Sequence, residues 1–522
     1  MSYASLRLNK GSCRVPDRSW RTLAWLARLQ GYDWQNWFNG SFPTDLVGWE
    51  TWDHPTRTKP QLLGPSNFSL YSHGVNNAVA LKWAAAWSHV YGPPELAEAS
   101  LFAWQRLSQH HGLPSGSFGA DEHLAGSDAF RGTELCVVVE SMRSLEESYA
   151  ALPDRPELID ALERLAFNAL PAAVSEDHWT HQYLTQSNAI YTGIESVNAD
   201  DTQPIMSEVF GNVGLDATVY GLSPNFPCCT VNFGQGWGKF VALGLWLFDG
   251  GGEMEMPLLL SAAFAPSMVR LPWPLEGEVE LDTVYPFNPE APLRYIVRKA
   301  KVPFQLLVRV PQWADLQRSQ VHGSHGPLPI PSGERPSVFV LPVHGDTVWE
   351  VRFAAEWKLV ERHGSGYFSF GPLTFVKRLQ HRSIKLPPDD GPYGPGAHPP
   401  AAVRDEMLLP TEDWAFGFLL NHTWQRGITE STKFLPGEVV SFEACPIRTS
   451  VPGASLSQSH MSLAPRPKDL NITGTLELSI SVSVGQEYPN LWWDPKKYLA
   501  MDAAPTMAYW FVAGKKFVGL RT

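Results

Sequence analysis

The sequence predicts a multidomain α plus β protein, with a helical region first and a β-sandwich after it. Three observations carry this. From residue 73 to about 172, apolar residues recur at helical spacing. After Asp249-Gly-Gly-Gly252 the period switches to two, with strands of four to seven residues between Pro/Gly turns. The chain has 522 residues, 44% apolar and 18% charged, which is enough for more than one core.

In chain order, residues 1–72 are weakly patterned, and only 18–31 reads as a helix. Val79, Leu81, Trp83, Ala84, Trp87 and Val90 set a helix over 77–91. Pro94 opens the next helix and Gly112 closes it. Leu135, Val138, Val139, Met142, Leu145, Tyr149 and Leu152 form one stripe over 133–152, with Thr133 as the expected N-cap. Residues 156–172 read as a further amphipathic helix. Residues 236–248 are apolar nearly all round and read as a helix buried between others. Alternating strands follow at 278–284, 293–298, 305–309 and 347–353, and a last one is expected at 475–484. The expected domains are 1–252 (helical), 253–385 (β-sandwich) and 386–522 (a loop-rich C-terminal β region, sparsely patterned after about 445).

Composition excludes several classes of function. The net charge is −12 and Lys/Arg do not cluster, so nucleic acid is not an expected partner. No apolar run is long enough to span a membrane. Residues 1–10 lack an apolar signal core, so the default address is cytoplasmic. Sequons at Asn39, Asn67, Asn421 and Asn471 leave a secreted origin open. Five cysteines in so long a chain are not a disulfide framework, and Cys13 and Cys445 have no evident role. The 21 tryptophans, many in polar surroundings, favour a carbohydrate partner mildly, because sugar C–H faces stack on aromatic rings; core packing explains tryptophan equally well.

The chemistry concentrates in four places. Cys228 and Cys229 are adjacent, and their Cα atoms, ~3.8 Å apart, are too close for an ordinary disulfide. Two thiols in a loop rich in Pro, Gly and Asn point to soft-metal ligation or thiolate chemistry, against the alternative of two small buried hydrophobes. Glu134-Leu-Cys136 opens the 133–152 helix. At i and i+2 these side chains diverge by ~200° on a helix, so both reach one ion only if Glu134 lies at an irregular entrance. Three thiolates and a carboxylate then form a closed tetrahedral zinc site. Gly116 to His123 is a small-residue loop bearing Asp121 and Glu122, either of which becomes a general acid if its pKa is raised. His73-Gly-Val-Asn76 opens a helix, where a histidine is most simply a cap.

Together, Gly-Ser-x-x-x-x-Glu (116–122), Glu-x-Cys (134–136) and Asn-Phe-x-Cys-Cys-x-x-Asn (225–232) resemble glycoside hydrolase family 127, the zinc-dependent β-L-arabinofuranosidases. His73-Gly-Val-Asn76, Tyr285-Pro-Phe287, Arg309-Val-Pro-Gln-Trp-Ala314 and Gly371-Pro-Leu373 resemble further motifs of that family, and the likeness runs from about 70 to 420. The resemblance implies an (α/α)6 toroid followed by β-sandwich domains. It implies Zn2+ held by Glu134, Cys136, Cys228 and Cys229, with Cys228 as nucleophile and Glu122 as acid/base. Asp121 is the second choice for the acid, and His73 is a substrate-binding candidate. The implied activity is retaining hydrolysis of β-L-arabinofuranosides or related furanosides of plant glycans.

The chain departs from this pattern at both ends. About 250 residues precede the sandwich, which is tight for twelve helices of ~11–12 residues plus loops. The toroid is therefore expected to be incomplete at its N-terminus. The interval from Glu122 to Glu134 is short for the family, and the chain after about 445 matches poorly. These departures keep open a second reading, a non-catalytic carbohydrate-binding or truncated homologue with a structural zinc.

Overall fold

In the computed structural model, the described residues are 17–44, 71–88, 94–127, 131–175, 179–187, 189, 192, 216–243, 246–249, 256–271, 275–283, 287–289, 291–324, 326–330, 334–362, 365–376, 381–386, 404–411, 480–481 and 517–518. They combine helices with several sheets. Cys13 and Cys445, the long loop expected over 386–403 for the most part, and most of the strand expected at 475–484 lie outside them. No helix among the described residues is long and apolar enough to cross a membrane.

The helical part is built on Leu135–Ala151, whose side chains are buried on nearly every face. Gly74–Ala80, Trp83–Ser88, Pro156–Arg164, Cys228–Asn232 and Gly234–Leu243 pack against it or against one another. The helix expected over 77–91 starts at Gly74 and breaks at Leu81-Lys82 into two. The one expected over 156–172 is α-helical to Arg164, widens to a π-turn over Leu165–Ala169, and closes with Leu170–Ala172. Among residues 17–44, Asp17–Gln30 is helical, as expected, and Trp34–Ser41 adds a second helical stretch.

One expected element changes type. The helix runs over Gly234–Leu243, whereas Trp246–Asp249 is a strand, buried at every position and paired antiparallel with Leu258–Ser261. A run apolar on all sides fits a strand buried on both faces as well as a buried helix, and periodicity does not separate the two. The strand joins a five-stranded sheet with Leu258–Ser261, Phe304–Arg309, Val338–Val343 and Phe517–Val518. A six-stranded sheet is built from Ser267–Leu271, Gly277–Asp282, Leu293–Arg298, Asp315–Gly323, Gly326–Pro327 and Thr347–Ala354. Side chains from the two sheets meet: the Tyr295 hydroxyl bonds Ser261 Oγ at 3.0 Å, and Phe339 stacks on Phe353 at 5.7 Å.

The helices dock on the β part through two of the later motifs, one in the five-stranded sheet and one at the turn between Ser365–Phe370 and Leu373–Val376. Arg309 is fully buried, and its guanidinium pairs with Asp160 at 2.5 Å and Glu163 at 2.6 Å, both on Pro156–Arg164. It also donates to the Ala262 carbonyl and covers the Phe264 ring. Glu163 in turn accepts the Phe264 amide, and Asp160 accepts the Gln312 amide. At Gly371-Pro-Leu373, Asn168 of the π-turn donates to the Pro372 carbonyl and accepts the Thr374 amide. Gly371 has φ +58, and a Cβ there would lie 2.9 Å from the Pro289 ring, so the turn requires glycine. Phe287 stacks on Phe167 across the same seam, with ring centroids 4.9 Å apart.

Candidate active site

A sheet of very short strands positions the site. Its order is His123–Leu124, Ala120–Asp121, Gly132–Glu134 and Leu184–Gln186. Asp121 pairs directly with His123, so Glu122 stands alone at the tip of the turn, with φ +72. A non-glycine residue in that region is strained unless its surroundings hold it. Here the Gly74 amide donates to the Glu122 carbonyl at 2.8 Å, and the Leu124 amide to the Ser72 carbonyl at 2.9 Å. Gly74 permits this approach, because a Cβ on it would lie 2.4 Å from Ala120 Cβ. The motif His73-Gly-Val-Asn76 thus grips the turn that carries Glu122.

Glu134 ends its strand in an extended conformation (φ −67, ψ 139) and is the N-cap residue of Leu135–Ala151. It is therefore free of the helical phase, which is the irregular entrance the Glu-x-Cys spacing requires. Thr133 is not the cap. Its hydroxyl donates to the Phe118 carbonyl at 2.7 Å and bonds Ser117 Oγ. The Glu134 side chain makes no capping bond either; the Leu135 amide is taken by the Tyr183 carbonyl at 2.9 Å.

The cysteine pair starts the short helix Cys228–Asn232. Its approach loop is tied down by the Asn225 amide donating to Asp216, the Leu222 amide donating to Asp405, and Thr230 Oγ1 lying 3.1 Å from His181 Nε2.

The donor atoms of Glu134, Cys136, Cys228 and Cys229 all lie within 4.8 Å of one another. Cys228 Sγ is 3.3 Å from Glu134 Oε1 and 3.9 Å from Cys229 Sγ, and Cys229 Sγ is 3.7 Å from Glu134 Oε1. Ligands on one tetrahedral zinc, with bonds of ~2.0–2.3 Å, stand about 3.5–3.8 Å apart. All three cysteines are free thiols. Glu134 Oε2 is buried and has no hydrogen-bond partner among the described residues, which is costly for a carboxylate oxygen left alone.

Electrostatics favour a cation here. Burial, then the negative charges of Glu122 and Cys228, push the Glu134 carboxyl up to about 9. The Cys229 thiol is pushed up by burial, and the Cys136 thiol by its hydrogen bond to Cys228. Cys228 is drawn down to about 2, because the Cys136 and Cys229 thiols donate to it. Left to itself the cluster therefore concentrates its negative charge on one sulfur. A divalent ion removes the mutual repulsion of four anionic donors, and the soft sulfur set suits zinc.

Beside the cluster, the Tyr183 hydroxyl donates to Glu122 Oε1, and His73 Nε2 lies 3.4 Å from Glu122 Oε2. His73 is also the N-cap of Gly74–Ala80, with Nδ1 accepting the Asn76 amide at 3.4 Å. A carboxylate oxygen of Glu134 lies within 4.8 Å of the His73 and Glu122 donor atoms, so carboxylate and cluster face one another. Asp121 faces elsewhere. It is buried, paired with Arg131 at 3.1 Å, and accepts the Gly132 amide at 2.6 Å. Those two bonds occupy both of its oxygens, so Glu122, not Asp121, is the carboxylate that faces the cluster. Sequence reasoning missed Tyr183 and His181. Both lie in Thr180-His-Gln-Tyr-Leu184, which carries no motif.

The fold and site describe a mixed helical and β protein in which a four-donor Glu/Cys cluster that could hold a metal ion faces a gripped carboxylate. No protein-family model matches the chain, and no curated protein does. Among solved structures it is similar to a glycoside hydrolase, with TM-score 0.42, 12% identity, and coverage of 65% of this chain and 63% of that one. It is also similar to Ara127N-Se, a GH127 β-L-arabinofuranosidase from Geobacillus stearothermophilus T6, with TM-score 0.43, 12% identity and coverage of 67% and 60%. A further GH127 β-arabinofuranosidase matches with TM-score 0.47, 13% identity and coverage of 74% and 59%. The chain thus spans less than two thirds of the length of each of these three structures.

Proposed function

We propose that the protein is a retaining glycoside hydrolase acting on β-L-arabinofuranosides or related furanosides of plant glycans. In this reading its helical part is toroid-like and its paired sheets form a β-sandwich. One observation carries the reading. Of the four cluster donors, Glu134, Cys136 and Cys229 are buried while Cys228 is partly exposed, and the cluster faces Glu122. A purely structural metal site has no need of an exposed ligand beside a gripped carboxylate.

Glu134, Cys136, Cys228 and Cys229 would hold zinc, which when bound keeps its thiol ligands deprotonated. Cys228 Sγ attacks the anomeric carbon as the bond to the leaving oxygen breaks, and Glu122 gives its proton to that oxygen. The product of this step is a glycosyl thioether on Cys228. Glu122, now a carboxylate, takes a proton from water as the water oxygen attacks the same carbon, and the C–S bond breaks. Two inversions give net retention. His73 borders the sugar site through its contact with Glu122.

The test is a Cys228→Ala variant assayed on aryl β-L-arabinofuranosides. The reading expects turnover to vanish. Turnover at the wild-type rate refutes the nucleophile assignment.

A further inference from the structure

The Glu122 carboxylate has two oxygens in different environments, and Tyr183 makes the difference. The phenol donates to Oε1, while Oε2 faces His73 Nε2 at 3.4 Å. Because the Asn76 amide donates to His73 Nδ1, a neutral His73 carries its proton on Nε2. Tyr183 is itself rigidly held. It is 3% exposed, its amide donates to the Ala217 carbonyl at 3.0 Å, and its carbonyl takes the Leu135 amide at the entrance of the metal-site helix.

We infer that Tyr183 is a positioning residue for the acid/base carboxylate: by holding Oε1 of Glu122 it leaves Oε2 as the oxygen that gives the proton to the leaving group and later takes one from water. A carboxyl free to rotate presents either oxygen; one held at Oε1 presents the other in a single orientation. This inference rests on the proposed glycosidase reading.

The experiment compares kcat/KM of wild type, Glu122→Gln and Tyr183→Phe on aryl β-L-arabinofuranosides of graded leaving-group acidity. Good leaving groups depart with little protonation, whereas poor ones depend on the acid. General acid catalysis contributes about 10²–10⁴-fold, and its positioning a part of that. Tyr183→Phe is expected to lose less than about threefold with 2,4-dinitrophenyl and about 10–100-fold with the poorest phenols, with KM nearly unchanged. Equal loss on every substrate, or none, overturns the role of Tyr183 while leaving the glycosidase reading intact. Unchanged turnover of poor leaving groups by Glu122→Gln overturns the underlying reading instead. If Tyr183→Phe is not recovered folded, Tyr183→Leu is read for the same split.

Discussion

Replacing Arg309 with methionine tests how the helical part is held to the sheets. Arg309 is wholly buried, and so is Glu163, while Asp160 is largely so. Methionine fills much of the volume but leaves two carboxylates without a counter-charge and the Ala262 carbonyl without its donor. Breaking one partner out of a buried ion pair costs about 3–5 kcal/mol. The cost depends on pH. Even with Arg309 present, burial holds Glu163 at about 7, against an ordinary 4.5. A carboxyl raised in the folded state contributes stability that is full below its unfolded pKa and is lost as pH rises through the folded value. That loss is about 3 kcal/mol in the wild type, from ~1.36 kcal/mol per unit. Without the guanidinium the folded pKa of Glu163 rises further, so the loss continues to higher pH. Urea unfolding of both proteins at pH 5.5 and pH 8 should therefore show a gap that widens with pH, reaching about 3–5 kcal/mol at pH 8. A gap below about 1 kcal/mol, or one that does not change with pH, refutes the staple.

Further outcomes follow from the site. Glu122→Gln is expected to lower kcat/KM on poor leaving groups by about 10²–10⁴-fold while zinc stays bound, measured by steady-state kinetics and elemental analysis. Gly74→Ala drives a methyl into Ala120 and Val137 and is expected to destabilise by about 1–3 kcal/mol, with a fall in kcat as the Glu122 turn shifts; thermal unfolding and kinetics read the two effects. Glu134→Gln keeps the shape of the side chain but removes a charged ligand, and should weaken zinc binding at least about 10-fold in a chelator competition.

The donors Glu134, Cys136, Cys228 and Cys229 were legible because thiols are scarce in this chain and their motifs are local. The condition that Glu134 stand outside the helix was legible too, from the i, i+2 spacing alone. Thr133 was misjudged because a threonine before a helix looks like a cap; here its hydroxyl is drawn to Phe118 by the parallel pairing of Gly132–Glu134 with Ala120–Asp121. Residues 246–248 read as helix because a strand buried on both faces has no period to read. Tyr183 left no trace, since its partner Glu122 is 61 residues away and connected only by the small sheet. The motifs at Arg309 and Gly371 were visible as patterns, but their work lies in contacts with Asp160, Glu163 and Asn168, far off in sequence.

The most direct measurement is zinc per chain in purified wild-type protein, by elemental analysis, beside Cys229→Ser. The account predicts about one zinc in the wild type and its loss in the variant. Folded wild-type protein without zinc, or a variant that keeps the full equivalent, contradicts the assignment of the cluster and with it the activation of Cys228.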